Sequence, residues 1–548
     1  MKLSKEILAY ALQNAIEFGK TDASRILPKL FQHGLKKEEI KKVLPMIKEI
    51  VNEVNSMGNK ERRERFTELT EVVVKKEEKE KSLPELSNVP KKPVFRMAPF
   101  PSGALHIGNA KTYILNALYA EKYDGDILLV MDDTIGSSEK QPIKEAYKLI
   151  EESLKFLGIE YKKPIVYKSD RLEIYYGYAE ELIKKDKAYV CYCTQSEIRD
   201  NREKGVECSC RKSSVKKQME GWKKMFEAKE GHATLRIKTD MTHKNPAFRD
   251  RVLFKISDRK HPRVGKKYRV WPSLEMSWAI DDNLLKITHI IRGNDLTMET
   301  EMERYIWDIF GWKHPDVTHT GLIRIEGLGA KISKSKAQKE VMSGKFKGWD
   351  DPRTWSIQSL EKRGIRKEAI REFVESIGLN KQDITVPIET LYAMNRRILD
   401  KEADRYSFVA DPVKVEVAGA DIKEISVHVH PDKEEKRKIK IGGKIFVSGE
   451  DYKKFKDKEI RLLHLFNVVL KKKTKVSSNE VKKEMQKINW VSDSVEARVL
   501  MPDGEWVEGK ADAGIKKLKK GEVLQFERFG FVKYQGKEDR FEFWFGHP

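Results

Sequence analysis

Apolar residues recur every three to four positions through the first 74 residues, as Leu8, Leu12 and Ile16 and then Val43, Ile47 and Val51, with lysine and glutamate between them. One apolar stripe per helical face predicts a module of amphipathic helices over 1–74. Seven consecutive charges, Lys75 to Lys81, and a proline-bearing stretch to Lys92 predict a linker over 75–92. At Pro93 the pattern changes. Val94 to Met97 reads as a strand, Pro99, Pro101 and Gly103 break the chain, and His106-Ile107-Gly108-Asn109 opens a helix through Tyr113, Leu115, Leu118 and Tyr119. A second apolar run, Ile127 to Met131, ends in Asp132-Asp133-Thr134. Strand, glycine-bearing turn, helix and strand make one βαβ unit of a parallel sheet, and carboxylates just past a strand's carboxyl end lie where such sheets bind ligands.

Residues 190–270 carry many charges and short strand-like pieces such as Ala233 to Ile237, the pattern of an insertion. Apolar βα text returns at Ala279-Ile280 and at Ile287 to Gly293, and 335–405 is again helical. From about Asp411 the period becomes two, at Val413, Val415 and Val417 and then Val427 and Val429. With the turn Pro502-Asp503-Gly504 and the closing run Phe541 to Phe545, this predicts a β-barrel region. The chain therefore reads as multidomain α/β. The predicted parts are a helical module 1–74, a charged linker 75–92 and a first α/β half 93–188. An inserted domain 189–270, a second α/β half 271–334, a helical connecting subdomain 335–405 and a β-barrel region 406–548 follow.

Composition adds a partner. Lys+Arg 108 against Asp+Glu 86 leaves +22 over 548 residues, a surplus that favours a polyanion such as nucleic acid. A charge-rich, heat-tolerant surface is the alternative source of such a surplus. No uncharged apolar stretch approaches the roughly 18 residues of a membrane span. Gln13 and Asn14 interrupt the apolar run of Met1 to Lys20, so no signal peptide is read and a cytoplasmic protein is expected. All four cysteines fall within twenty residues, Cys191 and Cys193 then Cys208 and Cys210, as two C-x-C pairs. Two thiolate pairs across a loop suit a closed, structural Zn²⁺, whereas disulfides are disfavoured in the cytosol.

One pair of motifs carries the chemistry. Pro99 to Asn109 sits on the first βα turn, and Lys331-Ile332-Ser333-Lys334-Ser335 follows the loop Gly327-Leu328-Gly329 more than two hundred residues later. A helix start presents backbone N–H groups and an imidazole to a triphosphate. His106 can donate to oxygens whose charge grows as an α-phosphate is attacked, and Gly108 lets an adenine lie close to the backbone. The second motif brings two ammonium groups to leaving pyrophosphate.

These residues resemble the HIGH and KMSKS signatures of class I aminoacyl-tRNA synthetases. With Arg96-Met97-Ala98-Pro99, Asp132-Asp133-Thr134 and Thr288 to Gly293 around them, the chain is similar to glutamyl-tRNA synthetases of the archaeal type. The resemblance implies a class I synthetase Rossmann fold with an inserted zinc-bearing acceptor-end domain, an N-terminal helical module and a C-terminal β-barrel anticodon-binding region. It implies glutamate, ATP with Mg²⁺ and tRNA-Glu as partners, with tRNA-Gln left open, and a monomer. His106 and Asn109 would stabilise the reacting phosphate, and Lys331 and Lys334 would neutralise the outer phosphates. Pro99, Ser102, Gly103 and Gly108 would complete the ATP cradle. Arg96 and Arg292 would meet the side-chain carboxylate, Asp132 the α-amino group, and Leu274 and Trp278 would line the amino-acid pocket.

The sequence departs from the family pattern at Asn109 for histidine, Ile332 for methionine, Val130 for arginine and Ile135 for aspartate. Leu274 stands for a tyrosine and Trp278 for a smaller or polar residue. These changes bear on amino-acid identity more than on reaction class. They keep open a glutaminyl-tRNA synthetase or a catalytically weak tRNA-binding paralogue.

Overall fold

The structure, a computed structural model, describes residues 3–69, 72–73, 83–135, 141–327, 334–419, 423–482 and 484–548. It divides into units 1–82 and 83–548. In the first, α1 (Ser4–Phe18), α2 (Ala23–Leu30), α3 (Ile40–Ser56) and α4 (Asn59–Thr67) enclose Ile7, Leu12, Ala15, Ile26, Leu30, Ile47, Val51 and Val54. The helical reading holds, but the buried stripe is turned: Leu8, Ile16 and Val43 lie at its half-buried edge. Asp22 caps α2 by accepting from the Ser24 and Arg25 amides. Buried Arg62 on α4 donates to the carbonyls of Val54, Asn55 and Gly19, tying together the ends of α1 and α3.

The seven-charge run lies outside the described residues, but 83–92 belong to the second unit. Leu83 is buried in its core, and the carbonyls of Leu83 and Pro84 accept from Lys122 and Tyr119. That part of the predicted linker is therefore packed.

The second unit begins with β1 (Val94–Met97), α5 (Ile107–Lys122), β2 (Asp126–Met131), α6 (Lys144–Phe156), β3 (Lys162–Tyr167) and α7 (Leu172–Lys184). A side lobe follows: β4 (Ala188–Cys191), α8 (Gln195–Lys204), α9 (Val215–Met225), β5 (Thr234–Ile237), β6 (Val252–Ile256) and β7 (Val270–Pro272). The chain then returns through α10 (Leu274–Leu284), β8 (His289–Gly293), α11 (Thr297–Phe310) and β9 (Asp316–Thr320). The main sheet has the order β3-β2-β1-β8-β9 and is parallel throughout. Its direction of growth reverses between β1 and β8, so a crevice opens at their carboxyl ends, the usual ligand position in such sheets. The lobe is a four-stranded antiparallel sheet, β4-β5-β6-β7. At its core Tyr176, Trp222 and Phe226 pack edge-to-face on one another and Phe254 edge-to-face on Trp222, the geometry aromatic rings favour.

Next, β10 (Ile323–Glu326) pairs in parallel with β11 (Ile384–Pro387), flanking the helices α12 (Lys334–Met342), α13 (Ile357–Lys362) and α14 (Lys367–Ile377). Helix α15 (Ile388–Leu399) leads into the C-terminal β region. That region holds a seven-stranded and a six-stranded sheet with separate cores, one around Phe408, Phe526 and Phe543, the other around Val415, Ile445, Ile460 and Val468. Pro502-Asp503-Gly504 turns the hairpin Ser494–Leu500/Trp506–Asp512, with Gly504 at φ +91°. Among the described residues no helix is long and apolar enough to cross a membrane.

Candidate active site

The crevice is built first from the turn between β1 and α5. Its carbonyls are tied down: Pro99 accepts from the Asp132 amide at 3.1 Å and Pro101 from Ile143 at 2.9 Å. Ser102, buried, donates its amide to the Phe100 carbonyl. Gly103 has φ +151°, and a Cβ there would stand 2.1 Å from the Trp349 ring, so only glycine admits that close approach. His106 is the N-cap of α5. Its Nδ1 accepts from the Asn109 amide at 3.3 Å, while Asn109 Oδ1 accepts from the His106 amide at 2.9 Å. An accepting Nδ1 fixes the neutral imidazole as the Nε2–H tautomer, a donor at the mouth of the helix. Asn109 thus acts first on His106. At Gly108 a Cβ would crowd that same imidazole at 3.1 Å.

The described chain on either side of the lysine-bearing segment is anchored beside this turn. The Ile323 carbonyl of β10 lies 4.0 Å from the Gly108 Cβ position, and Trp349, beyond α12, covers Gly103. Ile357 donates its amide to the Leu105 carbonyl at 2.8 Å. Lys111, buried on α5, donates to Thr320 Oγ1 and the Gly321 carbonyl at 2.7 and 2.8 Å, fixing the chain that leads into β10. Lys331 lies outside the described residues. Lys334 opens α12, and its side chain too is outside them.

Deeper in the crevice lies a buried ionic cluster. Arg96, at the end of β1, engages Asp282 of α10 through Nε at 2.5 Å and Nη2 at 3.1 Å. Arg292, at the end of β8, engages Glu303 of α11 through Nη1 at 2.9 Å and Nη2 at 2.6 Å. Asp132, at the end of β2, meets Lys168 Nζ at 3.0 Å. Between them stands Trp278 of α10, with Arg96, Lys168 and Arg292 at 4.5, 4.8 and 5.3 Å from its ring centroid. Burial opposes the charge of Arg96, but Asp282, together with Glu303 and Asp132, more than offsets it and holds the guanidinium firmly protonated. Burial pushes Glu303 up and Lys168 down. Two enclosed donors, Trp278 Nε1 and Arg292 Nε, have no hydrogen-bond acceptor among the described residues. Buried N–H groups require partners, so both suit a ligand bearing acceptor oxygens. Leu274 stands one turn before Trp278 on α10, half-buried.

In the side lobe the four cysteine sulfurs lie within 4.8 Å of one another. Cys191 and Cys208 Sγ are 3.8 Å apart, matching the edge of a tetrahedron with metal–sulfur bonds of about 2.3 Å and far from the roughly 2.05 Å of a disulfide. Arg236 Nη1 and the Tyr192 amide donate toward the sulfurs, at 3.5 to 3.9 Å, which favours thiolates. Gln218 pins α9 to both C-x-C segments, accepting from Val190 and donating to the Cys210 carbonyl.

A profile of the catalytic domain of class I tRNA synthetases (E and Q) matches residues 93–401, and profiles of their anti-codon binding domain match 403–489 and 487–535. The chain is 42% identical over 561 residues to the glutamate–tRNA ligase of Pyrococcus furiosus, covering 97% of each chain. It is 38% identical over 552 residues to that of Methanocaldococcus jannaschii, covering 98% of each. The chain belongs to the class I tRNA synthetases of the E and Q group.

Within this synthetase the sequence-predicted residues divide. Pro99, Ser102, Gly103, His106, Gly108 and Asn109 form one turn, and Arg96, Asp132, Trp278 and Arg292 converge at the strand ends beside it. Asp133 is instead part of the scaffold, accepting from the Ser169 amide and hydroxyl at 2.9 and 2.7 Å and from Tyr147 at 3.0 Å. Val130 and Ile135 are apolar because both are buried at 1% exposure. Sequence reading missed Lys168, Asp282 and Glu303. Each carried a weak signal: a charge interrupting the apolar text of α10 or α11, or closing the run Ile165-Val166-Tyr167.

Proposed function

We propose that this synthetase is an ATP-dependent glutamate–tRNA ligase. The α-carboxylate of glutamate attacks the α-phosphate of Mg·ATP, pyrophosphate leaves, and the 2′-hydroxyl of the terminal adenosine of tRNA-Glu then takes the glutamyl group. The observation that carries this reading is the placing of two guanidiniums on one indole at the switch point, each oriented by its own buried carboxylate. Asp282 and Glu303 leave Arg96 Nη1 and Arg292 Nε outside their pairs, so the remaining N–H groups can meet a substrate carboxylate without rearrangement. A neutral amide would leave these donors poorly matched, and such mismatches can separate substrates by about 10⁴-fold.

Because the protein supplies no nucleophile, the acceleration comes from positioning and charge stabilisation. His106 Nε2–H faces the phosphate whose charge grows, and Asn109 holds the ring. Lys331 and Lys334 would neutralise the departing pyrophosphate. Asp132 would take the α-ammonium. Exposed Lys471, Lys472, Lys473, Lys516, Lys517, Lys519 and Lys520 are the proposed phosphate contacts of the C-terminal sheets with tRNA. The protein would act as a cytoplasmic monomer. The direct test is aminoacylation of tRNA-Glu and tRNA-Gln transcripts with labelled glutamate and glutamine; charging with glutamine alone would refute the reading. Lys334→Ala should lower turnover by about 10²–10³-fold with near-normal tRNA binding in a filter assay.

Cys191, Cys193, Cys208 and Cys210 would hold a structural Zn²⁺, which when bound clamps the two C-x-C segments and performs no chemistry. Elemental analysis should give one zinc per chain in the wild type and none after Cys191→Ser with Cys208→Ser. A metal-free wild type would remove the site.

A further inference from the structure

Lys168 directly follows β3, with its side chain wholly enclosed. Val130 of β2 pairs with Val166 of β3, so Asp132 and Lys168 are the next residues in phase on the two strands and their charges meet. The Lys168 ammonium also bonds Ser277 Oγ at 2.9 Å, next to Trp278. One buried charge thus touches the acid at the end of β2, the start of α10 and the indole that carries both arginines.

A buried ammonium is costly, and packing alone could be met by an apolar side chain of the same length. What the charge supplies is balance. In this cluster Arg96, Lys168, Arg171 and Arg292 pair with Asp282, Asp132, Asp281 and Glu303, four cations against four carboxylates. Glutamate brings two carboxylates and one ammonium, so one further negative charge enters. Without Lys168 the pocket would already hold an unopposed carboxylate, and an anionic side chain would be repelled where a neutral one would not. We infer that Lys168 is a specificity-determining positioning residue, which neutralises one oxygen of Asp132 and steadies the Trp278 indole so that the pocket takes an anionic rather than a neutral side chain.

This rests on the glutamate reading above. The test is steady-state aminoacylation of tRNA-Glu with glutamate and ATP varied in turn, and with L-glutamine as a competing neutral analogue. Lys168→Met should raise the KM for glutamate by about tenfold or more, with kcat changed by less than about threefold and the KM for ATP unchanged. Inhibition by glutamine should be unchanged or tighter, and Lys168→Arg should restore most of the glutamate KM. Equal weakening of glutamate and glutamine, or a rise in both substrates' KM values, would make Lys168 a mere scaffold residue and overturn the inference. So would an unchanged glutamate KM. If Lys168→Met does not fold, Lys168→Gln, which keeps the hydrogen bonds and drops the charge, is read in the same way. Failure of the wild type to charge glutamate would instead sink the functional reading.

Discussion

Replacing His106 by alanine should lower kcat by about 10²–10³-fold, the usual cost of losing one donor aimed at developing negative charge. The same substitution removes the N-cap of α5, which by itself costs about 1 kcal/mol of stability. Activity and fold can be separated with His106→Asn. An asparagine Oδ1 can accept from the Asn109 amide as Nδ1 now does, so the cap and the melting temperature should survive while the donor at the Nε2 position is lost. Single-turnover aminoacylation and a thermal melt on the same preparations decide the matter. An asparagine variant with wild-type turnover would show that the imidazole serves only the helix, and the nucleotide role of the turn would fall with it.

How much of this site could be read in the chain depends on the distance over which each residue is held. The turn from Pro99 to Asn109 was legible because its determinants are local: two prolines without donors, a glycine at φ +151°, and a cap whose partners are three residues apart. The cysteines were legible for the same reason. The N-terminal helices were predicted from a real period, and Leu12, Ile47 and Val51 are in the core, yet Leu8, Ile16 and Val43 lie at its half-buried edge, since which side of a helix turns inward is decided by its neighbours. Leu83 and Pro84 look like linker in isolation and pack only because α5 offers them Tyr119 and Lys122. The ionic cluster was the least legible part. Arg96 and Asp282 stand 186 residues apart, and nothing near either one announces the other. A sequence shows that an arginine ends a strand; only the fold shows that a carboxylate already holds it.

That pairing makes Arg96→Ala the second large effect. The variant leaves Asp282 enclosed with no counter-charge, and breaking a buried pair from one side costs about 3–5 kcal/mol. It also takes the guanidinium from the face of Trp278 and from the substrate carboxylate, so glutamate KM should rise by about 10²-fold or more. Arg96→Lys should recover little, since a single ammonium cannot match the two Asp282 oxygens and reach a ligand as well. The two losses have different cures. Joining Arg96→Met to Asp282→Leu replaces the ion pair by apolar groups of similar bulk, which commonly restores stability. The double variant should therefore melt close to the wild type and still fail to bind glutamate. If it regained the glutamate KM together with its melting temperature, Arg96 would be a strut between β1 and α10, and recognition of the substrate side chain would rest on Arg292 and the indole alone.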